Sequence, residues 1–260
     1  MATMIGETTL LENVRPRVSV CLAAYNGERY IATQVNSILS QLAPGDQLII
    51  CDDDSSDGTV LAVSSINDCR IIVQSFSPNI GHVRNFERAI RIAAGDLIFL
   101  SDQDDIWLPY KLSEVVQCFS NNPDVQIVHH ALLTMNADGI SLTDVWNPLE
   151  EGRQARFSYL VRQLIKCQVF GCALAFRRSL IDVILPFPAA TYAHDHWLAI
   201  IGGVFGPTYF INKPLVRYRQ HETNLTPRGG LHWFGKISVR FRLLSLLFVA
   251  IFRRINTYLA

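Results

Sequence analysis

Leu97-Ile98-Phe99-Leu100-Ser101-Asp102-Gln103-Asp104-Asp105 is the stretch on which the reading of the chain turns. Four apolar residues in a row predict a strand buried on both faces, as in a parallel sheet covered by helices. The strand then runs into three carboxylates within four positions. Carboxylates this close repel, and each raises its neighbour's pKa unless a cation lies between them. Short oxygen ligands on a rigid strand end suit Mg2+ or Mn2+, with water and substrate phosphate completing the coordination. An acidic turn or helix cap is the ordinary alternative for an isolated Asp-x-Asp, so the decision falls to the rest of the chain.

Upstream, Val18-Ser19-Val20-Cys21-Leu22-Ala23-Ala24 predicts a strand that stops at Tyr25-Asn26-Gly27. A helix follows, with Ile31, Val35, Ile38 and Leu39 on one face. Pro44-Gly45-Asp46 turns the chain into a second strand, Gln47 to Cys51, which ends in Asp52-Asp53-Asp54 and then Ser55-Ser56-Asp57-Gly58-Thr59. A short helix, a third strand (Arg70 to Gln74) and a helix striped by Val83, Phe86, Ile90 and Ala93 complete the approach to the acidic strand. Strands alternating with helices across short connections make a mostly parallel sheet with helices on both faces. Ligands of such sheets bind beyond the carboxyl ends of the strands. The polar clusters at Tyr25-Asn26, Asp52-Asp53 and Asp102 to Asp105 are therefore expected to line one crevice. No G-x-G-x-x-G follows the first strand and no G-x-x-x-x-G-K-[ST] occurs anywhere, which disfavours a dinucleotide oxidoreductase and a P-loop NTPase.

In this order, Ala23-Ala24-Tyr25-Asn26, Asp52 to Thr59, Asn79-x-Gly81 with Arg84-Asn85, and Asp102-Gln103-Asp104 resemble the inverting glycosyltransferase family 2, which has the GT-A fold. The resemblance covers roughly residues 16–222. Ser101-Asp102-Gln103-Asp104-Asp105-Ile106-Trp107, His194-Asp195-His196-Trp197 and Tyr218-Arg219-Gln220-His221 are similar to a narrower branch that includes rhamnosyltransferases of bacterial surface polysaccharides.

The resemblance implies roles, residue by residue. It places Ala23, Tyr25, Asp53, Arg84 and Asp102 on the nucleotide, with Asp53 accepting the N3–H of a uracil or thymine, a sensible match of acceptor to imide donor. Asp104 is implied as the direct metal ligand, with Asp102 at the ribose or the metal and His221 at the metal or diphosphate. Asp105 is read with the N-terminal region of the helix that begins near Pro109. Asp195 is implied as the catalytic base, because an inverting transfer needs a carboxylate to take the acceptor hydroxyl's proton. His194, Trp107 and Arg219 are expected on the acceptor or phosphate side, and His196 is left open. The implied reaction moves a sugar from a dTDP- or UDP-sugar, L-rhamnose by branch, to a glycan hydroxyl with Mg2+ or Mn2+ as cofactor. The alternatives are a sugar-1-phosphate nucleotidyltransferase, for which the loop Ala23 to Arg29 is a poor phosphate cradle, and a non-catalytic scaffold of the same fold.

Further along, Val125 to His130 and Phe170 to Phe176 predict strands, residues 141–156 lack periodicity and read as a loop, and Pro214 to His221 predicts a last strand. The expected layout is a leader (1–15), a catalytic domain (16–228, its nucleotide half 16–106 and acceptor half 107–228) and a helical tail (229–260). In the tail, Leu243 to Phe252 is apolar and flanked by Arg240, Arg242, Arg253 and Arg254. Ten residues do not cross a bilayer core of roughly 30 Å. A basic-flanked amphipathic helix instead suits the surface of an anionic membrane, with packing on the domain or a homodimer contact as alternatives.

Composition sets the remaining bounds. At 260 residues the chain forms one large domain with room for an appendage. Lys+Arg and Asp+Glu both number 23, so bulk attraction to nucleic acid is not expected. Six cysteines (21, 51, 69, 118, 167 and 172) without a C-x-x-C pair read as reduced and structural, which suits a cytoplasmic location. The first residues lack a basic start followed by an apolar core, so no signal peptide is expected. Together with a lipid-linked acceptor, this points to the inner face of the bacterial plasma membrane.

Overall fold

The computed structural model describes residues 15–146, 148–166, 169–221 and 233–259. The expected leader, apart from Arg15, and the loop carrying Asn224, Thr226, Gly229 and Gly230 lie outside these residues, as does Cys167.

The first half is the expected alternation: β1 (Val18–Ala24), α1 (Ile31–Leu39), β2 (Gln47–Asp52), α2 (Thr59–Ser64), β3 (Ile71–Ser75), α3 (His82–Ile92) and β4 (Leu97–Asp102). The second half holds β5 (Ile106–Trp107), α4 (Lys111–Asn121), β6 (Ile127–Met135), β7 (Ser141–Trp146), β8 (Gly152–Gln154) and α5 (Arg156–Ile165). After them come β9 (Leu174–Arg177), α6 (Ile181–Ile184), α7 (His194–Phe205), β10 (Thr208–Arg219) and α8 (Trp233–Leu259).

All the strands form one sheet, in the order β3-β2-β1-β4-β9-β6-β10-β5, with β7 beside β6 and β8 beside β10. The four strands of the first half are mutually parallel. β9 runs antiparallel to both β4 and β6, and β10 is parallel to β6, so β6 and β10 point the same way as the first four. Alternation along the central strands feeds two helical layers. Val20, Leu22, Leu97 and Phe99 share a core with α1 and α4, whereas Cys21, Ile98 and Leu100 share one with α3, α7 and α8. This is why β4 reads as an uninterrupted apolar run.

Three local readings change. Residues 141–156 are not all loop, because β7 and β8 lie there as partners of β6 and β10. Gly171–Ala173 forms a 3-10 turn, and the strand expected from Phe170 starts only at Leu174. Asp105 does not start a helix: α4 begins at Lys111, and Tyr110 before it takes a left-handed φ of 72°. The tail forms α8, whose inner face is joined to the domain. Leu243, Leu246 and Ala250 are buried, and Arg253 donates to the carbonyls of Val183 (2.7 Å), Ile184 (3.1 Å) and Pro186 (2.7 Å).

Candidate active site

Strand register builds the crevice. β1 places Ala24 opposite Asp52 of β2 and Ala23 opposite Asp102 of β4, so the three carboxyl ends stop on one line. Gln34 on α1 fixes the end of β4 by donating to Ser101 Oγ (2.7 Å) and the Asp102 carbonyl (3.1 Å). Gln103 bridges from β4 to β1: its Oε1 accepts from the Tyr25 amide (2.8 Å) and its Nε2 donates to the Tyr25 carbonyl (2.9 Å). Tyr25 itself is exposed at the mouth.

Most acids of the Asp52 to Thr59 segment bracket loops. Asp52 accepts from the Ser55 amide (3.1 Å) and hydroxyl (2.5 Å), and Asp57 from the Glu28 amide (3.1 Å) and the Thr59 amide (3.0 Å). Asn26, in the left-handed region at φ 48°, ties the two loops by accepting from the Ser56 amide (2.9 Å). Asp53 is buried and holds the Gly81 amide (2.8 Å), the Ile80 amide (3.1 Å) and Arg88 (3.0 Å). The Ile80 amide also lies 3.2 Å from the second oxygen, so these contacts occupy about the four lone-pair sites a carboxylate offers.

Asp102, Asp104 and Asp195 form the acidic centre. Asp102 has no side-chain hydrogen bond among the described residues and is partly open. Burial first, then the charges of Asp104 and Asp195, push its carboxyl up to about 7 against the pull of Lys111. That coupling brings residues 102 and 195, far apart in sequence, into one electrostatic neighbourhood. Asp195 stands in the first turn of α7 and accepts from the His196 amide at 2.8 Å. On the other side, His221 Nε2 lies 2.6 Å from Asp104 Oδ2, with its ring 5.5 Å from that of Tyr30.

Beneath this surface lies a charged layer that sequence reading passed over. Asp105 is buried and accepts from the Arg219 amide at 2.9 Å; burial and then the charges of Asp104 and Asp102 raise its pKa. Ligand atoms of Asp102, Asp105 and Cys172 fall within 4.8 Å of one another. Buried Lys111 donates to the Cys172 carbonyl (2.6 Å) and sits 4.2 Å from the centre of the Trp107 ring. Burial pulls its pKa down to about 8, with Cys172, Asp105 and Asp102 pulling it back up. A thiol is a soft ligand and an ammonium already supplies positive charge here, so this trio does not suit a hard cation. Asp102, Asp104 and the imidazole of His221 are partly open and together offer oxygen and nitrogen ligands that a divalent cation could take.

Four expected contacts take other work. Arg219 is buried, donating from Nε to the Asp104 carbonyl (2.6 Å) and from a terminal nitrogen to the Ala137 carbonyl (2.8 Å), so it ties the acidic loop to the turn after β6 rather than facing phosphate. Arg84 pairs with Glu87 (2.5 Å) and the Phe187 carbonyl (3.0 Å), and its neighbour Arg88 holds Asp53. Trp107 is core, 5.6 Å from Phe99 between ring centres. His194 is buried with its ring centre 3.9 Å from that of Phe86, and neither ring nitrogen has a hydrogen bond. Burial lowers its pKa to about 4, so it is neutral packing behind Asp195. Two of the missed residues left a signal. Lys111 occupies a helix face otherwise built from Val115, Cys118 and Phe119, and Arg84, Arg88 and Arg91 recur at helical spacing.

With this geometry in place, comparison with known proteins is informative. Residues 19–184 match the family model described as Glycosyl transferase family 2. The UDP-Glc:alpha-D-GlcNAc-diphosphoundecaprenol beta-1,3-glucosyltransferase WfgD of Escherichia coli is 31% identical over 123 residues, 46% of this chain and 48% of that protein. The dTDP-rhamnosyl transferase RfbG of Shigella flexneri is 26% identical over 221 residues, 78% of this chain and 72% of that protein. Among solved structures, S. aureus TarS 1-349 in complex with UDP-GlcNAc superposes with a TM-score of 0.67 at 16% identity, covering 92% of this chain and 73% of that one. The mannosyltransferase PcManGT from Pyrobaculum calidifontis, in complex with GDP-Man and Mn2+, gives 0.60 at 18% identity, covering 95% and 76%. The chain spans 66% and 48% of the lengths of two curated relatives it matches. At these identities the structural likeness establishes the fold, which is GT-A.

Proposed function

The chain belongs to glycosyl transferase family 2, and on that premise we propose that it moves a sugar, with inversion, from a pyrimidine nucleoside diphosphate to a glycan hydroxyl. The observation that carries this reading is that Asp102, at the end of β4, feels the charges both of Asp104 and of Asp195 in the first turn of α7. Asp195 accepts the acceptor hydroxyl's proton as that oxygen bonds the anomeric carbon. The bond from that carbon to the diphosphate oxygen breaks on the opposite face, through an oxocarbenium-like state. Asp102, Asp104 and His221 would hold a divalent cation, which when bound neutralises charge on the departing diphosphate. Asp53 receives the pyrimidine N3–H in exchange for its longer contact to the Ile80 amide (3.2 Å), and Tyr25 lies against the base or ribose.

The donor we favour is dTDP-L-rhamnose, on the wording of residues 101–107 and the likeness to RfbG. UDP-glucose is the second reading, on the likeness to WfgD, whose name also supports a polyprenyl-diphosphate-linked acceptor. A panel of dTDP-, UDP- and GDP-sugars with Mn2+ tests the reading. Turnover confined to pyrimidine donors is expected, and a preference for GDP-sugars would overturn it.

A further inference from the structure

Helix α8 is apolar on two opposite sides. Its inner side belongs to the core shared with α7. A helix apolar all round is normally buried all round, yet Phe241, Leu244, Phe248, Phe252 and Ile255 stand in solvent, Phe248 with 72% of its surface exposed. At about 100° per residue these five fall within about 40° either side of one line along the helix. With Leu259, which is 81% exposed, the stripe runs roughly 27 Å. An apolar patch this continuous marks an interaction surface.

Charge selects the occupant. Between Trp233 and Leu259 the helix holds Lys236, Arg240, Arg242, Arg253 and Arg254 and no acid, in a chain whose acids and bases balance overall. Arg253 and Arg254 turn toward the domain, whereas Arg240 and Arg242 are exposed beside the stripe. Pairing this face with a second copy would bring these like charges together with no carboxylate on either helix, which disfavours association. An anionic lipid surface satisfies both features: apolar side chains enter the headgroup boundary while exposed Arg240 and Arg242 meet phosphate. No described helix is long and apolar enough to cross a membrane, so α8 is suited to lie along the surface.

We propose that the outer face of α8 binds the surface of a bilayer containing anionic phospholipid, while its inner face carries the catalytic domain. Arg242 lies 5.7 Å from the centre of the Tyr192 ring, and the Tyr192 hydroxyl meets His196 Nδ1, one residue beyond Asp195. The lipid-facing helix and the acceptor side of the crevice are therefore joined through one short contact chain. That consequence rests on the transferase reading; the binding itself does not.

The test is co-sedimentation of the full chain with vesicles of phosphatidylcholine alone and with added phosphatidylglycerol, at about 0.15 M salt. Wild type is expected to bind the anionic vesicles at least tenfold better than the neutral ones. Phe241→Ser/Phe248→Ser/Phe252→Ser should lose that binding at least tenfold with its thermal melt retained, and Arg242→Glu, which leaves the apolar face intact, should lose the anionic preference. Wild type left in the supernatant with both vesicles would overturn the proposal, as would undiminished binding by the triple variant. So would a stable wild-type dimer in light scattering that the triple variant dissolves, since the face would then pair copies of the chain. Vesicle binding needs no sugar donor, so its failure and a failure of the transferase reading are read separately.

Discussion

Gly171 and His194 are bound by geometry: a Cβ on Gly171 would overlap His194 Nε2. His194 is fixed against Phe86 and adjoins Asp195, so a methyl group at position 171 reaches the base through one intermediary. Gly171→Ala is expected to lower the rate of transfer at least tenfold with nucleotide affinity kept, and adding His194→Ala should return part of the rate; stopped-flow turnover checks both. Lys111 poses the opposite problem, a buried cation serving two buried acids. Lys111→Met removes the attraction of its ammonium for Asp102 and leaves the Cys172 carbonyl without its donor, which for an unsatisfied buried group costs about 1–3 kcal/mol. Adding Asp102→Asn should recover part of that in urea melts. Asp53 separates bracing from base reading. Asp53→Asn removes both, whereas Arg88→Met weakens only the bracing, so UDP affinity in calorimetry should fall further for the first. At this scale the sequence was partly legible. Asp102 and Asp104 stand out because carboxylates crowded at a strand end have no folding reason to cluster, whereas Asp195, at a helix N-terminus where an Asp is ordinarily a cap, is implied only by the family resemblance. Arg219 and His194 did not declare their burial, because whether a polar side chain faces a ligand or a backbone carbonyl depends on partners more than 80 residues away.

Elements of the first half were readable because β1, β2 and β4 are buried on both faces and α1 and α3 each show one apolar stripe. The register that puts Ala23 beside Asp102 and Ala24 beside Asp52 follows from four parallel strands with short connections. The second half hid its elements. β7 and β8 hold Thr, Asp, Arg and Gln because each pairs at the margin of the sheet, where one side stays wet and alternation is weak. The 3-10 turn at Gly171–Ala173 interrupts what reads as one apolar strand, because Gly171 must pass close to His194.

Across the whole molecule, three buried histidines set an acid limit on stability. Burial lowers the pKa of His129 to about 3, of His194 to about 4, and of His130 well below its ordinary value. The unfolded chain takes up these protons below about 6.5, while the folded chain refuses them until lower pH. Their contribution is therefore intact above about 6.5 and is lost as pH falls toward 4. Asp102, raised to about 7, works the other way: the folded chain keeps its proton where the unfolded one has released it, so stability falls as pH rises through that range. Comparing wild type with His194→Leu isolates one histidine. The variant's unfolding free energy should decline less between pH 6.5 and 4 in urea titrations.

The central claim is that Asp195 takes the proton while the carboxylates of β4 serve the donor. Transfer by Asp195→Asn, measured beside calorimetric binding of dTDP and UDP in the presence of Mn2+, tests it most directly. Transfer should fall about 10^2–10^4-fold with nucleotide affinity unchanged; full transfer by the variant would contradict it.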